Sequence, residues 1–212
     1  MATCVSYPKS GRTWLRVMLL DLGINIRFTH LDTGADDNSW GRRLSDLDFP
    51  HTEDDKIIFL HRDPRDTVTS FFYEMTRRQR PNLRRTLKYW VQKRLPPKDL
   101  SDFVRSERFG IEKVIMFNLR CAENLNGLFI AYEAMREREA SGYYRKSYLR
   151  PRDRADANSY KVRRGKVGGW RDEMSEDAQE YSNSMLTRYR YFERIEALTA
   201  RQGMGYMAGL AR

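Results

Sequence analysis

Two compact apolar runs in this chain each pass straight into a tight polar loop and then into a helical pattern, and no other feature restricts its architecture as strongly. Thr3 to Tyr7 reads as a buried strand. After "PKSG", the stretch Thr13 to Leu22 sets Trp14, Leu15, Val17, Met18, Leu19 and Leu22 in a helical pattern. Ile57 to Leu60 is the second run, and Arg62-Asp63-Pro64 follows it at once. Asp63 suits an N-cap and Pro64 the first helical position, which predicts a helix from Pro64 to about Arg78. Repeated strand, loop and helix units imply an α/β fold, a three-layer αβα domain built on a central parallel sheet.

The rest of the chain is compatible with that plan. Leu100 to Ser106 and Ile111 to Asn124 read as helices, Leu128 to Tyr132 as a third strand, and Ser175 with Glu176 and Asp177 as the start of a last helix running to about Leu198. Residues 32–55 are acidic and aperiodic, and read as loop with short helical pieces. Residues 141–169 are rich in Arg, Ser, Pro and Gly, with 143–162 expected as an irregular cover over the surface and 203–212 as a loosely held tail. At 212 residues, one domain spanning 1–212 is the expectation.

Charge narrows the partners. A formal net charge of +10 implies an anionic partner, and the basic residues are clustered. Arg77 to Arg94 holds eight and no acid, and Tyr143 to Arg171 holds ten against Asp153 and Asp156. Each cluster alone is equally well read as a solvated face. No apolar run is long enough to span a bilayer, and the N-terminus lacks the pattern of a secretory signal, so a cytoplasmic location is expected. Cys4 and Cys121 have no paired spacing and read as small core residues, not as a disulfide or a zinc site.

The first loop has the makings of an anion site. A helix N-terminus presents backbone N–H groups, Gly11 admits close approach, and Lys9 adds a full charge. The nucleotide-binding pattern Gly-x4-Gly-Lys-Ser/Thr is absent, because here the lysine precedes the glycine. The second apolar run ends in His61 and Arg62, where a magnesium-binding acid would otherwise stand, so no metal is expected. The competing reading is a plain strand-to-helix turn.

"YPKSGRTW", residues 7 to 14, resembles the 5′-phosphosulfate loop of sulfotransferases that use 3′-phosphoadenosine-5′-phosphosulfate. "FLHRDPRDTVTSFF", residues 59 to 72, is similar to that family's 3′-phosphate motif, with Arg62 and Ser70 at the matching positions. "KVRRGKVGGW", residues 161 to 170, resembles its C-terminal basic block, in which Arg163, Arg164 and Gly165 would close over the 3′-phosphate. The resemblance spans residues 5 to about 175. It implies a P-loop-like topology and a sulfotransferase that moves a sulfuryl group from that donor to a hydroxyl or amine acceptor, with adenosine 3′,5′-bisphosphate as product.

It also implies roles for individual residues. Lys9 would neutralise charge on the departing oxygen, the loop from Ser10 through Gly11 and Arg12 to Thr13 would share the load, and Trp14 would stack on adenine. Trp14 reads equally as core. Among His30, His51 and His61, His30 in "FTHLDTG" is similar to the Thr-His element that carries the base in many bacterial members. His61 reads as structural and His51 belongs to no motif.

Relative to the family, several tens of residues are missing near 125–145, which leaves the base side of the nucleotide less defined and could expose apolar surface for a homodimer. The acceptor is open. The basic stretches Arg77 to Arg94 and Tyr143 to Tyr160 are candidate cleft walls, favouring a hydroxylated small molecule or an anionic glycan. Alternatives are a P-loop-like kinase, a non-catalytic anion-binding module, or a basic nucleic-acid binder. The last is disfavoured because the cations cluster at strand ends.

Overall fold

The structure is a computed structural model, described here for residues 2–31, 56–78, 96–137 and 166–201. Four parallel strands form one sheet in the order β2-β1-β3-β4, with β1 at Thr3–Ser6, β2 at Arg27–Thr29, β3 at Ile57–His61 and β4 at Gly127–Ala131. The helices are α1 (Arg12–Asp21), α2 (Pro64–Tyr73), α3 (Leu100–Arg105), α4 (Ile111–Asn124), α5 (Tyr132–Glu137), α6 (Glu176–Arg188) and α7 (Tyr191–Arg201). A π-helical turn, Glu74–Arg78, continues α2, and a 3-10 turn, Gly169–Asp172, precedes α6.

Alternation along the strands builds the layers, because successive side chains face opposite sides. Val5, Phe59 and Phe129 lie side by side in register and face the larger core with α2, α3, α4, α6 and α7. Cys4, Ile58, Leu60 and Ile130 face the other way, against Leu15 and Leu19 of α1 and Met135 of α5. The three-layer αβα plan with a parallel sheet is therefore present. Phe71, Phe103 and Phe109 fill the larger core edge to face or stacked, with Phe103 fully buried.

Several expected elements change at their ends. Asp63 caps α2 by accepting the Arg65 N–H at 2.8 Å, with Pro64 in the first turn as expected. The helix then leaves α geometry at Glu74 for the π-helical turn. The single last helix expected from Ser175 to Leu198 is two helices, because Arg190 has φ +48 and the chain turns there. Ser175 does cap the first of them, accepting from the Ala178 N–H. The stretches expected as loop (32–55), cover segment (143–162) and tail (203–212) lie outside the described residues.

The strand order sets the site. The chain leaves β1 toward β2 on one side and returns to β3 on the other, so the sheet reverses direction of growth between β1 and β3. In open parallel sheets, ligands bind beyond the C-terminal strand ends at such a reversal.

Candidate functional site

The four strand ends meet at that edge. After Ser6 the loop turns through Lys9 at φ +70 and Gly11 at φ +98, and α1 begins at Arg12. Gly11 is constrained twice: its backbone is left-handed, and a Cβ there would overlap the Tyr132 ring that follows β4. No side chain caps α1, so its first turn lacks the side-chain acceptor that usually serves these N–H groups. Ser10 is fully buried, and its hydroxyl has no hydrogen-bond partner among the described residues. Arg12 and Thr13 are half-buried at the helix start.

Arg62, just past β3, joins this loop to the rest of the site. Its guanidinium donates to the Lys9 carbonyl at 3.3 Å and to the Lys166 carbonyl at 3.3 Å, and lies 4.5 Å from the centre of the Tyr132 ring. It also approaches Asp66, one helical turn on, at 3.6 Å. The Asp66 carboxylate accepts the N–H groups of Gly168 and Trp170, and so fastens the C-terminal block to α2. Burial raises its pKa against the opposing pull of Arg62 and those two N–H groups.

Residues 66, 70 and 74 share one face of the helix because four residues span about one turn. Asp66 meets Arg62 at one end of that stripe, and Glu74 meets Lys9 Nζ at 3.0 Å at the other. Ser70 lies between them, half-buried. Thus Lys9, Arg62 and Ser70 border one locality. At the start of α2, Asp63 accepts the Arg65 N–H, and the Asp63 N–H donates to Glu133.

His30 follows β2, which flanks β1 on the side away from β3. Its Nδ1 lies 2.6 Å from the carbonyl of Ser6, the last residue of β1. A carbonyl only accepts, so Nδ1 carries the proton and Nε2 holds the lone pair. Burial drives the imidazole pKa down to about 3, with Arg12 and Arg16 pressing the same way and the Ser6 bond opposing them. The ring is neutral at physiological pH.

His61 is buried, stacks on Phe59 and has a pKa lowered to about 4 by burial. It sits in the core, as its place in the strand run suggested. Trp14 is also buried at 2% exposure, and the Arg136 guanidinium lies over its ring at 5.2 Å. Arg136 therefore covers one face of the Trp14 ring. Arg163, Arg164 and Gly165 lie outside the described residues, as do His51 and nearly all of both basic stretches. No cluster able to hold a metal ion occurs among the described residues.

Sequence reasoning did not single out Glu74, Glu133 or Arg136. Glu74 had a readable signal in its spacing of four from Ser70. Glu133 had none: it is 3% exposed, its Oε1 accepts the Asp63 N–H at 2.9 Å, and burial pushes its pKa up to about 7.

The fold defines a P-loop-like α/β protein with its first strand-to-helix loop at the sheet reversal. Among solved structures, that of mouse sulfotransferase SULT7A1 complexed with PAP is similar over 94% of this chain and 88% of that one, with a TM-score of 0.53 and 16% identity. No family model matches the chain, and no curated protein matches it in sequence. Among the described residues, no helix is long and apolar enough to cross a membrane.

Proposed function

We propose that the protein is a sulfotransferase that uses 3′-phosphoadenosine-5′-phosphosulfate as donor and a hydroxyl or amine compound as acceptor. The observation that carries this reading is the helix stripe that brackets Ser70 between Arg62 and Lys9. It fits an anion with two charged ends, and the solved neighbour with PAP bound has the same fold.

The residues present suit such a donor. The uncapped start of α1, the buried Ser10 hydroxyl and the close-approach turn at Gly11 offer donors to the 5′ end, with Arg12 and Thr13 beside them. Arg62 and Ser70 serve the 3′ end, joined by Arg163, Arg164 and Gly165, and Trp14 is the candidate for the adenine. The bound donor supplies an activated sulfuryl group. Lys9 neutralises charge on the leaving oxygen, and His30 Nε2 takes the acceptor proton while Nδ1 stays tied to Ser6. Binding an anion near Arg12 also offsets the charge that depresses the imidazole, which strengthens His30 as a base.

The test is transfer of labelled sulfate from the donor to a panel of hydroxylated and amine acceptors, anionic glycans included. Lys9→Ala should lower turnover about 100-fold or more without unfolding the chain, and His30→Ala should lower kcat far more than it weakens donor binding. Transfer that survives Lys9→Ala, or none by the wild-type chain to any acceptor, rejects the reading.

A further inference from the structure

Lys9 is held from two directions. Its backbone sits in the left-handed region, where a residue with a Cβ is uncommon, and its carbonyl accepts from Arg62. Its ammonium meets Glu74 Oε2 at 3.0 Å, both side chains about one-fifth exposed. Glu74 opens the π-helical turn, so the helix changes geometry at the very residue that reaches Lys9. Such turns occur often at functional sites. Arg62 donates to the same loop, and a carboxylate seated on the Lys9 ammonium is the feature that needs a reason.

We propose that Glu74 is the resting counter-ion of Lys9: it holds the ammonium over the loop, and an incoming phosphate or phosphosulfate must displace it. Glu74 is a positioning residue that acts through Lys9. A single pair still one-fifth open to water is weaker than the several charge-assisted hydrogen bonds that the loop offers an anion, so the exchange runs toward the donor. The pair therefore sets a threshold: weakly charged anions do not release Lys9, and a multiply charged one does. The exchange rests on the sulfotransferase reading, whereas the pair itself does not.

Two measurements separate those parts. The first is the rate at which an uncharged N-hydroxysuccinimide ester acylates Lys9 in the unliganded protein, read by peptide mass. Glu74→Gln should raise that rate several-fold and leave other lysines unchanged, since a paired ammonium is a poor nucleophile. An unchanged rate at Lys9 overturns the pair.

The second is calorimetry with adenosine 3′,5′-bisphosphate at low salt. Glu74→Gln should tighten binding about fivefold, the scale of one weak ion pair, and the gain should vanish in the Lys9→Ala background. Equal gain in both backgrounds means plain repulsion between Glu74 and the ligand, and overturns the exchange. Faster acylation in Glu74→Gln together with no bisphosphate binding by the wild-type chain keeps the pair and rejects both the exchange and the donor assignment.

Discussion

Glu133 gives the residue scale its sharpest consequence. An ordinary glutamate titrates near 4.5, and here burial raises the folded value to about 7, with the Asp63 N–H bond and Arg62 opposing the shift and the Asp63 carboxylate reinforcing it. The folded chain therefore binds this proton more tightly than the unfolded chain, and the Glu133 contribution to stability falls as pH rises from about 4.5 through about 7. His30 and His61 act in the opposite sense, since both are held neutral below the usual histidine range and favour folding as pH rises toward 6.5. Glu133→Gln isolates the carboxyl: it keeps the acceptor for the Asp63 N–H and removes the titration. Urea unfolding at a series of pH values should show the wild-type chain losing stability relative to this variant between pH 5 and 8, by on the order of 3 kcal/mol. A constant difference across that range would mean that Glu133 is charged throughout.

At the element scale, what the sequence disclosed and what it hid have separate physical causes. The β1–α1 and β3–α2 units were legible because each couples an apolar run to a helix signal, and Asp63 with Pro64 marks the second helix start without ambiguity. Ile111–Asn124 was legible to the residue, since its apolar stripe is long and glycine precedes it. β2 was harder to read because three residues carry no periodicity, and its place depends on pairing with β1. The break at Arg190 was hidden for another reason: apolar spacing continues across it, and only the backbone turns. Arg190 adopts a left-handed conformation with a Cβ, at a cost of about 1 kcal/mol, and its exposed pair with Glu193 returns little. Arg190→Gly should therefore stabilise the chain slightly or leave it unchanged, as read by the urea midpoint. A loss above about 1 kcal/mol would show that the Arg190 side chain holds the α6–α7 corner together.

At the scale of the whole molecule, three motifs that lie far apart in sequence come together at the sheet reversal. Arg62 donates to Lys9 of the first motif and to Lys166 of the third, and Asp66 of the second accepts from Gly168 and Trp170 of the third. The sequence offered the motifs and their order. It could not offer the carboxylates that organise them, because Asp66, Glu74 and Glu133 act through partners 65 to 104 positions away. Local patterns carry no information about such pairings. In the proposed function, Lys9 and Arg62 grip the two charged ends of one nucleotide. Calorimetry with adenosine 3′,5′-bisphosphate, AMP and magnesium-ATP addresses it most directly. The bisphosphate should bind at least tenfold more tightly than AMP, roughly one added charge-assisted contact, and Arg62→Ala should erase the preference. Equal affinity for AMP and the bisphosphate, or a preference for magnesium-ATP, would contradict it.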